Sequence, residues 1–216
     1  MLEDRPVGVV RRFIASIGER SRTAVPPVGL PALRGTPRID AATTIGVLVY
    51  RGVSSNEIEE PVERLAERMQ AAVVFVGAEL GSVHAVEPSR RVIVDCTPPT
   101  APPIDVLVVP GGLGWKQVIE HSEIRNWLSE VAASARGIMA ISTGSLLLAS
   151  VGRLEGRQAT GHWLATDELA ALGATVTSAR TASDDAGCVV TASGVLAAIQ
   201  VVDGLADHAR WAEWMP

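Results

Sequence analysis

The sequence predicts an α/β fold, a three-layer sandwich in which a mainly parallel β-sheet carries helices on both faces. Three observations support it. From Thr44 onward, short near-continuous Val/Ile/Leu runs alternate with stretches of helical periodicity. Unbroken apolar runs, rather than alternating ones, mark strands buried on both sides, as in parallel sheets. Polar and glycine-rich segments follow three of these runs, and the carboxyl ends of the strands are where such sheets gather function.

The elements follow in order. Residues 45–50 form the first strand, and a helix follows to about Gln70. Residues 73–76 form the next strand, 84–95 a hairpin-like piece and 106–109 a further strand. Residues 123–135 are helical, 138–141 a strand and 144–151 a helix. Another helix is expected over 163–172, short strands over 174–176 and 189–191, and a closing helix over 195–209. No internal repeat or low-complexity tract interrupts the alternation.

These elements define one domain over 44–210, preceded by an Arg/Pro-rich extension over 1–43 and followed by a short tail, 211–216. Pro26, Pro27, Pro31, Pro37, Gly29 and Gly35 punctuate the extension rather than propagate regular structure. Val9, Val10, Phe13, Ile14 and Ile17 fall at roughly helical spacing, so a short amphipathic helix is an alternative there. A targeting or docking arm, a loosely ordered extension, and an extension laid over a neighbouring subunit are all open readings.

With 216 residues, 47% of them hydrophobic, the chain is long enough for one well-buried domain. Its net charge of −5 leaves no basic face for nucleic acid, although the first 40 residues hold seven Arg against four acids. No apolar run reaches the roughly 18–20 residues of a membrane span, and residues 7–10 are too short an apolar core for a signal peptide. Cys96 and Cys188 are the only cysteines, in neither a disulfide-framework nor a metal-ligand spacing. His84, His121 and His208 also lack ligand spacing, so no metal is expected. A soluble, cytoplasmic protein without membrane or nucleic-acid partner is the expectation.

Three strand ends carry the chemistry. After the first come Gly52-Val53-Ser54-Ser55-Asn56-Glu57, with Pro61 four residues beyond the acid. After 106–109 come Pro110-Gly111-Gly112-Leu113-Gly114-Trp115. After 138–141 the apolar run stops at Ser142-Thr143-Gly144-Ser145 and an apolar helix begins. This is a strand, a sharp elbow and a helix, the arrangement that presents a nucleophile at a helix N-terminus.

Each position has two readings. Glu57 is either a general acid–base facing the elbow or the last member of a capping box with Ser54. Gly111 and Gly112 either offer N–H groups to an oxyanion, with the Thr143 N–H as partner, or make a tight turn. Thr143 either donates its hydroxyl to a ligand or caps the helix behind it. Trp115 is an apolar wall for a small ligand; Trp163 is such a wall or ordinary core. His162 either takes part in catalysis or makes a structural hydrogen bond.

Together these segments resemble the DJ-1/PfpI superfamily, with its class I glutamine amidotransferase-like, flavodoxin-like sandwich. The match is closest to the branch of isonitrile hydratases and ligand domains of AraC-type regulators. Glu57 four before Pro61, Pro110-Gly111-Gly112 and the Ser142-Thr143-Gly144 elbow are similar to that branch's motifs. So are Gly152-Arg-Leu-Glu-Gly-Arg-Gln-Ala-Thr160-Gly161-His162-Trp163 and Val190-Thr191-Ala-Ser-Gly194-Val195. The likeness covers about Thr44 to Ala206. It implies Glu57, Ser142 and Thr143 as catalytic residues, and Gly111, Gly112, Trp115, His162 and Trp163 around the substrate. It further implies a small-molecule substrate, a homodimer and no cofactor.

One departure matters: the branch carries cysteine where Ser142 stands. A helix N-terminus lowers a thiol pKa enough to ionise it, whereas an alcohol needs an adjacent base. Three readings therefore stand side by side. The first is an isonitrile-hydratase-like enzyme on a small electrophilic organic substrate, with Glu57 as acid–base and Ser142 as a hydrogen-bonding hydroxyl. The second is an inactive ligand-binding or regulatory module. The third is a Cys-to-Ser variant of an active hydratase.

Overall fold

A computed structural model describes residues 32–36, 43–184 and 188–205. Most of the Arg/Pro-rich extension, the end of the expected closing helix and the tail lie outside the described residues. So do the expected amphipathic spacing over 9–17 and His208.

The central sheet has six strands: β1 (Thr44–Leu48), β2 (Ala72–Val76), β5 (Val106–Val109), β6 (Gly137–Ile141), β9 (Thr181–Ser183) and β10 (Val189–Ala192). Their order is β2-β1-β5-β6-β10-β9, parallel throughout except for the antiparallel edge strand β9. Every residue of β5, β6 and β10 is buried, as the unbroken apolar runs require of strands covered on both faces. The direction of winding reverses between β1 and β5, the crevice where ligands of such folds bind.

Among the described residues six helices surround it: α1 (Glu59–Met69), α2 (Trp115–Glu120), α3 (Ser122–Ser134), α4 (Gly144–Ser150), α5 (Thr166–Ala171) and α6 (Val195–Asp203). They form two groups. α1 lies against α6, where Arg64 pairs with Asp203 at 3.2 Å, while α2 contacts α3 and α4, and α4 contacts α5. The expected three-layer α/β architecture is thus the observed one. Two small additions stand outside the main sheet: the antiparallel hairpin β3 (Gly81–His84) with β4 (Arg91–Val94), and β7 (Gln158–Ala159) paired with β8 (Thr175–Val176).

The predicted elements are present, with small shifts at their ends. The helix expected over 163–172 is split into a 3₁₀ turn over Trp163–Ala165 and then α5. Three pieces went unread: α2, β7 and β9. β9 reads Thr-Ala-Ser and has no apolar signature, because an edge strand is ordered by its neighbour's ladder. Part of the supposed extension is built into the domain. Leu33 N donates to Arg91 O at 2.9 Å and Leu33 O accepts from Ile93 N at 2.8 Å, so Leu33 is bridged to β4, while Thr36 O accepts from Val73 N of β2 at 3.0 Å.

Candidate active site

The elbow is where the sequence places it. Ser142 follows β6 directly and has φ 58°, a left-handed conformation unusual for a side-chain-bearing residue. Such a residue costs about 1–2 kcal/mol relative to ordinary backbone, and the surroundings must hold it there. They do so through Ser142 N, which donates to Ala192 O at the end of β10 at 2.7 Å. Behind it, Gly144 packs so closely that a Cβ would lie 2.0 Å from Val109 O, so the start of α4 is pressed onto the end of β5.

Glu57 faces this elbow. Its backbone lies between β1 and α1, and its carboxyl end is enclosed although part of the residue stays accessible. Gly111 N donates to Glu57 Oε2 at 2.6 Å, and the Ser142 hydroxyl lies near enough to the same carboxyl to favour its charged form. Burial pushes the Glu57 pKa up to about 7; the Gly111 bond and the Ser142 hydroxyl pull against that, and the charge of Glu87 adds to it. A carboxyl poised there exchanges protons readily near neutral pH.

The capping-box reading of Glu57 does not hold. Glu57 points at Gly111 rather than back at Ser54, and the turn ahead of α1 is capped from elsewhere. Glu87, on the β3–β4 hairpin, accepts from Ser54 Oγ at 2.9 Å and from Ser55 N and Oγ at 2.8 Å each.

The two glycines behave differently from the expected oxyanion donors. Gly111 N is engaged by Glu57, and Gly112 N donates to Thr143 Oγ1 at 2.9 Å. Both N–H groups therefore organise side chains of the site. Neither position tolerates a larger residue. A Cβ on Gly111 would lie 2.8 Å from Glu57 Oε2, Thr143 N and Thr143 Oγ1, and one on Gly112, at φ 151°, would lie 2.1 Å from Gly52 O.

Thr143 makes no side-chain cap for α4. Its hydroxyl accepts from Gly112 N and donates to Gly112 O at 3.1 Å, tying the elbow to the glycine turn. Tyr50, a residue the sequence reading passed over, fixes the same turn from the other side. Its buried hydroxyl donates to Pro110 O at 2.9 Å, and burial followed by the charge of Glu57 holds the phenol well above its usual pKa. The available signal was a hydroxyl-bearing aromatic at the carboxyl end of the first apolar run.

The remaining candidates lie farther out. His162 Nδ1 accepts from Leu164 N at 3.2 Å, and burial lowers its pKa, which matches the structural reading. Trp163 is 72% exposed and stacks on His162 with ring centroids 5.9 Å apart, so core packing is the wrong reading for it. Trp115 is half-buried at the start of α2, against the core and under the Lys116 ammonium. Among the described residues, an open cleft of about 380 Å³ lies between α1, β2 and residues 33–36 and another of about 600 Å³ lies beside the glycine turn, and neither is lined by Ser142 or Glu57. The larger one runs along Tyr50, Gly52, Leu113 and Gly114, behind the glycine turn. Ser142 itself is only 5% exposed, but its hydroxyl meets a carboxyl rather than apolar core. No cluster of metal-ligating side chains is found among the described residues.

An α/β sandwich whose strained strand–elbow–helix hydroxyl faces an enclosed carboxyl across the sheet's switch point defines the class of site. The chain belongs to the DJ-1/PfpI family, whose model matches residues 43–207. It is 32% identical over 172 residues to the isonitrile hydratase of Pseudomonas putida, covering 77% of this chain and 72% of that protein. Among solved structures, a ThiJ/PfpI family protein from Pseudomonas syringae superposes with a TM-score of 0.70 at 26% identity, covering 89% of this chain and 80% of that one. Schizosaccharomyces pombe DJ-1 shares the fold, with a TM-score of 0.63 at 17% identity over 80% of this chain and 96% of its own.

Proposed function

We propose that this protein adds water to a small electrophilic organic substrate of the isonitrile type, with Glu57 as the proton-transferring group. The observation that carries this reading is the enclosed Glu57 carboxyl, held by Gly111 N, poised at about pH 7 and facing the Ser142 hydroxyl at a strained elbow. The similarity to an isonitrile hydratase supplies the substrate class.

The chemistry balances without a cofactor. An isonitrile is nucleophilic at its terminal carbon until that carbon is protonated and becomes electrophilic. Glu57 in its acid form donates that proton, water attacks the same carbon, and the Glu57 carboxylate takes a proton from the added water. Tautomerisation then delivers the N-substituted formamide. Ser142 keeps its proton throughout: an alcohol has no means of ionising beside a carboxyl of this pKa, so its hydroxyl orients Glu57 and the incoming water.

The test is formamide production from small aliphatic isonitriles by the parent, Glu57→Gln and Ser142→Ala. Turnover by the parent and its loss in Glu57→Gln would support the reading. A second reading, a ligand-binding module of this family, draws on the engaged Gly111 and Gly112 N–H groups and the cysteine-to-serine difference. It predicts saturable isonitrile binding by the parent without formamide, and turnover appearing only in Ser142→Cys.

A further inference from the structure

We infer that Glu87 is a positioning residue for Glu57, holding the loop that carries the working carboxyl from the β3–β4 hairpin. This rests on Glu57 being the working carboxyl of the site, as proposed above. The loop between β1 and α1 has no capping side chain of its own: the residue ahead of α1 is Ile58, which makes no side-chain cap. Glu87 takes that role from outside. One carboxylate oxygen accepts from Ser54 Oγ at 2.9 Å, with Asn56 N at 3.5 Å, and the other accepts from Ser55 N and Ser55 Oγ. Ser55 is completely buried, so an anchor lost there leaves a buried hydroxyl and N–H without their acceptor.

The hairpin reaches the same loop through its backbone. Val86 N donates to Val53 O at 2.9 Å, Gly52 N donates to His84 O at 2.7 Å, and Arg90 pairs with Glu59. On its opposite side the loop is fastened to the glycine turn, through Ser54 N to Gly111 O at 2.8 Å and Gly111 N to Glu57 Oε2. Glu57 is thus carried on a segment clamped between two turns, and Glu87 supplies the side-chain half of one clamp.

Charge gives Glu87 a second effect that a neutral cap would lack. The groups around Glu57 are Tyr50 from the end of β1, Ser142 and Thr143 from the elbow, Glu87 from the hairpin, and the Glu59–Arg90 pair at the head of α1. Among these Glu87 is the carboxylate whose charge opposes Glu57 ionisation, adding to burial as the smallest of the causes named above. Arg90, the cation on the same hairpin, is engaged by Glu59.

Titration of the Glu57 carboxyl by ¹³C NMR in the full chain tests the assignment without needing turnover. Glu87→Gln keeps an acceptor for Ser55 N and a partner for Ser54 Oγ but removes the charge. The expected result is a downward shift of the Glu57 midpoint, with no shift in Glu79→Gln, which changes an exposed carboxylate on the approach to the same hairpin. Glu87→Ala should shift the midpoint too and displace the amide resonances of residues 54–57. Should that variant not fold, Glu87→Asp, which keeps the charge on an arm too short for both serines, takes its place. Unmoved 54–57 amides with an unchanged Glu57 midpoint in the variant that breaks these contacts, or a shift in Glu79→Gln equal to that in Glu87→Gln, would overturn the inference. Absence of isonitrile turnover in a parent whose Glu57 responds to Glu87 would count against the proposed reaction alone.

Discussion

Strands β6 and β10 lie side by side and parallel, and each runs through a small polar residue and a glycine into a helix. Their junctions are built in opposite ways. After β6, Ser142 is in the left-handed region and Gly144 has no room for a side chain. After β10, Ser193 has no such strain, and Gly194 is extended, at φ 170°, with nothing near the position of a Cβ. The two are directly linked, since the Ser142 N–H bonds the last carbonyl of β10. The pattern of strand, small residues and helix does not itself mark a functional elbow. What marks it is strain held by tight packing, with a buried carboxyl facing the strained residue.

The largest break of this contrast should come from Glu57. Glu57→Gln removes the proton donor and is expected to lower kcat for isonitrile hydration by about 10²–10⁴-fold. In the parent, the rate that needs the acid form should fall as pH rises through about 7, because the donor is then lost. The same shift sets a stability signature. The folded protein holds the Glu57 proton up to about pH 7, whereas the unfolded chain releases it near 4.5. The folded state therefore binds the extra proton between those values, and stability falls as pH rises across that window. Glu57→Gln should be more stable than the parent at pH 8 by on the order of 3 kcal/mol, with the gap closing below pH 4.5. Denaturant unfolding at several pH values measures it, and a constant gap would contradict a buried carboxyl.

Next come the glycines. Gly144→Ala sets a methyl against the Val109 carbonyl and should cost on the order of 2–3 kcal/mol in chemical unfolding. The β6 junction would lose its special status if that variant were as stable as the parent. Smaller is the effect of a β-branched residue at the strained position: Ser142→Thr should cost about 1–2 kcal/mol, while Ser193→Thr stays within about 0.5 kcal/mol. The smallest effect is at Gly194, where Gly194→Ala meets open space in extended backbone. It should be neutral or stabilising by up to about 1 kcal/mol, through a less flexible unfolded chain. A loss of stability there would show the β10 junction to be as constrained as the elbow.

Much of the site was legible because strand ends are legible. Each apolar run stops where the chain leaves the sheet; Gly111, Gly112, Ser142 and Thr143 sit within a few residues of such a stop, and Glu57 lies at the far end of the polar segment that follows the first. Roles were harder. Ser54 to Glu57 has the spacing of a capping box, and only the approach of Gly111 and the arrival of Glu87 show that Glu57 is turned inward. Thr143 has the position of a cap and instead bonds Gly112. Trp163 looks like core by composition, yet it stands on the surface because the chain turns through a 3₁₀ segment there.

The alternation of buried strands and helices, the parallel sheet that follows from it and the position of the elbow are written in the sequence. Those depend on hydrophobic periodicity and on glycine at close approaches, which are local properties written residue by residue. Only the tertiary structure decided which groups meet: Glu57 with the Ser142 hydroxyl, Tyr50 with Pro110, and Glu87 with the loop before α1. Those pairings join strands and turns distant in sequence, and the shift of the Glu57 proton affinity arises from burial that no stretch of sequence contains.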